Sequence, residues 1–223
     1  MRVILFDLDG TLVDTAHDLG LALNIQLERH GKPALAHDKI RPVASHGSNG
    51  LLELGFGIGP EDHNFQAMRT EYLDLYETVF TNKPSLLPGI AELLTKLDAQ
   101  GIKWGIVTNK PRRFSLNLIK SVMLGDMNLY ERSACLVCGD DAAQPKPAPD
   151  TLLMACKATN SKPDECIYVG DAERDIQAGR AAGMKTIVAM FGYIAATDQP
   201  AEWGADAMIN EPLELMNYLS QIP

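Results

Sequence analysis

Two aspartates one residue apart, Asp7 and Asp9, close the apolar run Val3-Ile4-Leu5-Phe6 in the opening stretch "MRVILFDLDGTLVDT". Clustered carboxylates repel one another unless a cation neutralises them or some take up protons. Acids at the tip of a hydrophobic strand therefore point to chemistry. Comparable polar residues follow other apolar runs. Thr108 and Asn109 follow "GIV", Lys146 stands in "QPKPAPD" after "LVCGD", Asp171 follows "IYVG", and Asp175 comes four residues later. If those runs are parallel strands, their ends meet on one rim, and alternation turns Asp7 and Asp9 to the same side. Several acids on one rim suit a hard divalent metal, and Mg²⁺ fits because it takes one or two carboxylates together with waters and phosphate oxygens. A lysine and a threonine hydroxyl opposite would complement the remaining phosphate oxygens. The set reads as a phosphoryl-transfer site, where positioning and charge neutralisation supply most of the catalysis. A carboxylate there also serves as a nucleophile, forming an aspartyl phosphate.

The elements that must position these residues are short apolar runs: 3–6, 103–109, 134–140, 166–171, 185–190 and 207–210. Helical patterns lie between most of them, at 90–101, 114–124, 149–160 and 174–183, with Gly101 and Gly183 placed to end helices. Strand–helix alternation with near-continuous apolar strands predicts an α/β fold, a Rossmann-like, doubly wound parallel sheet with helices on both faces. From about 16 to 84 there is no strand pattern, only helical ones such as "AHDLGLALNIQLERHG" and "FQAMRTEYLDLYETVF". An unstructured loop of that length is implausible in a compact domain. The sequence therefore predicts a core of residues 1–14 and 88–223 and a small α-helical cap, 15–87, inserted after the first strand. "DTA" and the Pro/Gly-containing "KPSLLPG" mark the hinges.

Composition narrows the partners. The 223 residues carry a formal charge of −9 with no block of Lys or Arg, which argues against nucleic acid and anionic membrane surfaces. No run approaches the roughly 18 apolar residues of a membrane span. The first residues are a strand rather than a secretory signal, so the expected setting is cytoplasmic and reducing. Cys135 and Cys138 in "CLVC" have no second pair or suitably spaced histidines nearby. They read as small hydrophobes of a strand rather than a metal site.

"DLDGTLVDT", "VTNKP", "KPAPD" and "GDAERD" resemble, in order and at compatible spacing, the four motifs of the haloacid dehalogenase superfamily. The helical insert resembles that superfamily's cap. Within it the chain looks most like the phosphoglycolate phosphatase type. "WGIVTNKPRRF" and "GYIAATDQPAEWGAD" are also similar to a subgroup acting on N-acetylmuramic acid 6-phosphate. The resemblance implies that Asp7 is the nucleophile and a Mg²⁺ ligand. It makes Asp9 the general acid and then base, with its main-chain carbonyl on the metal. Thr108 and the Asn109 amide would hold phosphoryl oxygens, Lys146 would bridge Asp7 and phosphate, and Asp171 would ligate the metal. Asp175 would support the metal through water or hold its neighbours. Gly10 would allow the turn that aims amides at phosphate, and Thr11 would steady it. The implied activity is a Mg²⁺-dependent phosphomonoesterase for a small acidic phosphorylated metabolite, 2-phosphoglycolate first and N-acetylmuramic acid 6-phosphate as the alternative. The chain would act as a monomer or homodimer.

Structural readings compete at several positions. Asp14 or Thr15 would serve as the N-cap of the first helix after the strand, and Asp175 as a helix-start acid. Asp140 and Asp141 read as acids of a solvated turn, and Arg112 and Arg113 lie near the rim or face solvent. In the expected cap, "RPVASHGSNGLLELG" reads as a helix–helix turn offering Arg41, a candidate for a substrate carboxylate, and His46. A sugar phosphomutase would keep every core motif. A receiver-like regulator is disfavoured by Asp9, which would hasten loss of the phosphoryl group, and by the helical insert.

Overall fold

The computed structural model describes residues 2–221. Six strands form one all-parallel sheet: β1 (Val3–Phe6), β2 (Lys103–Val107), β3 (Leu136–Val137), β4 (Cys166–Gly170), β5 (Lys185–Ala189) and β6 (Ala207–Ile209), in spatial order β6-β5-β4-β1-β2-β3. The expected fold class is the observed one. Strand β1 sits at the centre and is buried on both faces. Ile4 and Phe6 pack with Trp104, Ile106 and Val169, while Val3 and Leu5 pack with Val107, Leu152 and Tyr168. That alternation explains a continuous apolar run where a half-exposed strand would alternate polar residues.

Register is what builds the site. Phe6 pairs with Ile106 on one side and with Val169 on the other. Asp7 directly follows Phe6, and Thr108 and Asp171 stand two residues beyond its two partners, so all three emerge at the same sheet edge. The ladder continues past the strands: the Asp7 N–H donates to the Val169 carbonyl at 2.9 Å, and the Thr108 N–H to that of Val137 at 2.9 Å.

Between Asp14 and Ser85 lie three longer helices, α1 (Ala16–Arg29), α2 (Gly47–Phe56) and α3 (Phe65–Glu77). Leu19, Leu23 and Leu27 of α1 are buried at helical spacing, as are Phe65, Tyr72 and Tyr76 of α3. The Tyr72 hydroxyl donates to the Leu19 carbonyl at 3.1 Å, and Gln26 Nε2 to that of Met68 at 2.9 Å. The segment expected as a turn at 41–55 is instead a 3₁₀ turn, Arg41–His46, running into α2. Its Gly and Ser content favours a turn, but burial of Leu51 and Leu52 and the close approach of Gly55 to Leu23 override that local preference. The chain leaves β1 and returns toward helix α4 (Ile90–Ala99) side by side, Val13–Asp14 pairing antiparallel with Ser85–Leu86.

Helices α5 (Arg112–Ser121), α6 (Asp150–Thr159), α7 (Glu173–Ala182) and α8 (Glu214–Gln221) complete the layers. Helix α5 stops three residues before its expected end. Met123–Leu124 turns back on Met127–Asn128 around Gly125, whose φ is +65°. The strand expected at 134–140 shrinks to an edge pair. Cys138 is fully buried, and burial pushes Cys135 up to about 11 and Cys138 up to about 12, as expected of inert packing thiols. Among the described residues, no helix is long and apolar enough to cross a membrane.

Tyr193, buried 179 residues from Asp14, fastens the exit from β1. Its hydroxyl accepts from the Thr15 and Ala16 N–H groups at 2.7 and 3.0 Å and donates to Asp14 Oδ1 at 2.8 Å. Asp14 Oδ1 also accepts from Ala16 N–H at 3.2 Å, so the capping role expected of this pair falls to Asp14 and Tyr193, whereas the Thr15 side chain turns elsewhere. Tyr193→Phe strands the buried Thr15 N–H and leaves the Ala16 N–H to Asp14 alone, and is expected to lower stability by about 1–3 kcal/mol in urea denaturation; an unchanged midpoint would show that the exit from β1 is held by packing alone.

Candidate active site

At the carboxyl edge of the sheet, Lys146 is completely buried and its ammonium is shared. It donates to Asp7 Oδ1 at 2.9 Å, Asp175 Oδ1 at 2.7 Å and the Tyr168 hydroxyl at 2.7 Å, and Tyr168 passes its own proton to the Val107 carbonyl at 2.8 Å. The loop carrying Lys146 is clamped by Asn109. Asn109 Nδ2 donates to the Lys146 carbonyl at 2.8 Å, and Asn109 Oδ1 accepts from the Lys146 N–H at 2.9 Å. The Asn109 side chain thus positions Lys146. Thr108, buried beside it, accepts the Lys110 N–H at 3.1 Å and keeps its hydroxyl proton to give.

Asp171 lies on the other flank. Its Oδ1 accepts from Thr11 Oγ1 at 3.0 Å, and its Oδ2 from Ser45 Oγ at 2.6 Å and the Tyr193 N–H at 2.8 Å. Space is so tight here that a Cβ on Gly10, whose φ is +82°, would lie 2.3 Å from Asp171 Oδ2. One on Gly192 would lie 2.3 Å from Asp171 Cβ. Gly10 therefore has both a conformational and a steric reason to be glycine. Asp175 takes both roles open to it: its Oδ2 accepts the Ala172 N–H at 3.0 Å at the start of α7, while its Oδ1 holds Lys146.

Carboxylate oxygens of the buried Asp7, Asp171 and Asp175 lie within 4.8 Å of one another. Burial pushes Asp7 up to about 7: Lys146 pulls it back, and Asp175 and Asp171 push it further. Burial raises Asp171 too, with Asp175 adding to the effect. For Lys146 burial works downward, but Asp175 and Asp7 outweigh it and keep the ammonium charged. Burial also works downward on Arg174, and there the three aspartates outweigh it in the same way. A set of hard, close-set carboxylate oxygens matches the ligand chemistry of a divalent cation. Both oxygens of Asp171 and of Asp175 already accept hydrogen bonds, whereas Asp7 Oδ2 accepts none among the described residues.

The match to the haloacid dehalogenase-like hydrolase model runs over residues 4–189. The chain belongs to that family. Among curated relatives, an N-acetylmuramic acid 6-phosphate phosphatase of Pseudomonas putida is 40% identical over 98% of this chain and 96% of its own length. A phosphoglycolate phosphatase of Xanthomonas campestris pv. campestris is 37% identical over 96% of this chain and 94% of its own. A solved hydrolase from Pseudomonas syringae superposes with a TM-score of 0.74 at 27% identity, over 100% of this chain and 99% of that one. The resemblance read from the four motifs holds.

Within this haloacid dehalogenase-like site, Asp9 lines a cavity of about 570 Å³ together with Asp7, Thr108, Lys110, Lys146, Arg174 and residues of α2 and α3. His46 is on that wall, and burial, then Arg174, hold its imidazole below its ordinary range, so it is neutral at pH 7. Arg41 is not among the lining residues, contrary to the sequence expectation. Its guanidinium lies 4.9 Å from the Tyr193 ring centre and donates to the Gly192 carbonyl at 3.3 Å, fastening the loop behind Asp171. Asp140 and Asp141 are not free turn acids either. Asp140 accepts the Arg112 N–H at 2.8 Å, and Asp141 accepts from the Arg112 guanidinium, including Nε at 2.7 Å. Arg113 lies 3.6 Å from Glu77 on the surface.

Sequence reasoning passed over Lys110, Arg174, Ser45 and Arg69. The first two sit inside quoted motifs, "VTNKP" and "GDAERD", where their charge was the available signal. Arg174 donates to the Ser45 carbonyl, joining α7 to the helical segment. Nothing local marks Ser45 or Arg69. Asp175→Ala would leave a buried ammonium with one carboxylate and is expected to cost about 3–5 kcal/mol by urea denaturation; a loss under about 1 kcal/mol would mean that Lys146 is held without it.

Proposed function

We propose that this chain is a Mg²⁺-dependent phosphomonoesterase acting through an aspartyl phosphate on Asp7. The observation that carries the reading is the state of Asp7. One oxygen is gripped by Lys146; the other accepts no hydrogen bond among the described residues; and the residue opens on the cavity. That leaves a nucleophilic oxygen beside a fixed positive charge. Asp7 attacks phosphorus in line while Asp9 protonates the departing ester oxygen, and Asp9 then takes a proton from the water that hydrolyses the intermediate. Lys146 and the Thr108 hydroxyl offset charge on the phosphoryl oxygens. Asp7, Asp171 and the Asp9 carbonyl would hold Mg²⁺, which supplies further charge neutralisation. Asp175 positions Lys146, and Thr11 and Gly10 hold the Asp171 side of the turn. Residues 15–87 act as a cap on the core of 1–14 and 88–223, excluding water when closed.

The substrate is a small phosphorylated acid. Four cations line the cavity. Lys146 and Lys110 are paired with carboxylates, and Arg174 feels all three buried aspartates. Arg69 on α3 donates Nε to Ser48 Oγ at 3.1 Å and makes no ion pair with a carboxylate among the described residues. It is the natural partner for a substrate carboxylate, a group present both in phosphoglycolate and in the lactyl arm of N-acetylmuramic acid 6-phosphate. A cavity of about 570 Å³, walled by Tyr72, Tyr76, Phe114, Asn49 and Glu53, has room for a sugar ring and favours the muramic ester as the second reading.

Phosphate release from the two esters in Mg²⁺, each against an EDTA control, tests the reading. Asp7→Asn is expected to remain folded and to lose all turnover; Mg²⁺-dependent turnover in that variant would overturn the mechanism. Arg69→Ala is expected to raise KM for the preferred ester about 10- to 100-fold with kcat little changed, the size of one charge-assisted contact. An unchanged KM would place the carboxylate elsewhere.

A further inference from the structure

Asp9 is held by a pair of donors that share one oxygen. Thr15 Oγ1 donates to Asp9 Oδ1 at 2.5 Å, and Lys110 Nζ donates to the same atom at 2.9 Å. Asp9 Oδ2 accepts no hydrogen bond among the described residues. Lys110 is itself enclosed, with 7% of its side chain exposed, and its ammonium sits 4.7 Å from the centre of the Tyr76 ring. Tyr76 is on α3, and its hydroxyl makes no hydrogen bond among the described residues, so the face of the ring is what it offers the ammonium. Tyr76 is braced in turn by Tyr72, stacked at 6.2 Å, and by Phe114 of α5, edge-on at 5.2 Å.

We propose that Lys110 is a positioning residue for Asp9, and that Tyr76 makes this positioning depend on how α3 sits over the sheet edge. The inference rests on the acid–base role given to Asp9 above. Both donors fix Oδ1, so the carboxyl group cannot rotate freely and Oδ2 is the oxygen left for proton transfer. The arrangement serves both halves of the reaction. In the first, the proton leaves Oδ2 for the ester oxygen as its bond to phosphorus breaks and the bond from Asp7 forms. In the second, Oδ2 recovers a proton from water as the aspartyl phosphate is hydrolysed. Oδ1 is an acceptor in either state, as the carbonyl oxygen of the acid or as part of the carboxylate. If α3 moved away, Lys110 would lose its ring and become a long, solvated side chain, and the hold on Asp9 would loosen with it.

The test uses a ratio. For each protein, kcat/KM is measured with phenyl phosphate, whose leaving group needs protonation, and with 2,4-dinitrophenyl phosphate, whose leaving group does not. This parameter reports steps up to transfer onto Asp7, and any inactive fraction of a preparation cancels in the ratio. Lys110→Met is expected to lower the phenyl-to-dinitrophenyl ratio about tenfold, a part of what a general acid supplies. Tyr76→Leu is expected to lower it in the same direction, and Lys110→Arg to restore most of it. An unchanged ratio in Lys110→Met, whatever its absolute rates, would overturn the proposal, because loss of phosphate binding or of fold lowers both esters alike. Asp9→Asn is the separate check. It is expected to lower the ratio further than Lys110→Met. If it leaves the ratio unchanged, or if wild type releases phosphate from neither ester, the acid–base reading itself fails and the inference falls with it.

Discussion

A single buried ammonium sets the terms for the rest of this molecule. Removing a charge from water costs several kcal/mol even after the protein relaxes, and the cost is recovered only when partners are close and well aligned. Lys146 meets it with two carboxylates and a phenol at 2.7–2.9 Å. Each partner comes from a different element: Asp7 from the tip of β1, Asp175 from the first turn of α7, Tyr168 from inside β4. The loop bearing Lys146 is tied by Asn109 to the end of β2. Three strands and a helix are therefore stitched through one nitrogen, and the same nitrogen fixes Asp7 Oδ1 while Oδ2 accepts no hydrogen bond among the described residues. Stability and reactivity are two readings of one set of distances.

The opposite flank works by steric exclusion rather than by charge. Gly10 and Gly192 let two backbones close on Asp171, and Thr11, Ser45 and the Tyr193 amide donate to its carboxylate. Ser45 belongs to the helical segment, as does Tyr76, and Arg174 reaches back to the Ser45 carbonyl. The acidic edge of the sheet is thus touched by the helices at Asp171 and, through Lys110, at Asp9. Movement of the helical segment would therefore disturb Asp171 and Asp9 together.

How much of this could be read from the chain follows from the range of the rules involved. Continuous apolar strands, each ending in a polar residue, are local signals. Parallel pairing turns them into a shared edge, so Asp7, Thr108, Lys146 and Asp171 were legible and their convergence followed. The short β3 and the early end of α5 escaped because edge position and a Gly125 turn truncate elements whose composition would continue them. The helical segment was legible as helices and poorly legible as a wall. Arg41 and Arg69 are both arginines on helical stretches, and only packing decides that one lies against Tyr193 and the other against the cavity. Asp140 and Asp141 had the composition of a solvated turn, yet Arg112, 28 and 29 residues away, captures both.

The same division between edge and wall bears on specificity. Relatives named for two different phosphate esters resemble this chain to nearly the same degree, 40% and 37% identity over almost its full length. A transferring phosphoryl group makes the same demands in both reactions, and those demands are met at the sheet edge, where register and the buried Lys146 leave little freedom. Discrimination must then come from groups that contact the leaving alcohol and leave the edge undisturbed. The cavity wall away from the sheet edge carries Arg69 on α3, Asn49 and Glu53 on α2 and His46. They stand on helices that meet the sheet edge through a few side chains such as Ser45 and Tyr76. Substitutions on that wall alter its shape and charge at small cost to the core, because His46, Asn49 and Glu53 are exposed, Arg69 is half-buried and none of them lies in a strand. A fold organised in this way holds its chemistry constant while its substrate changes.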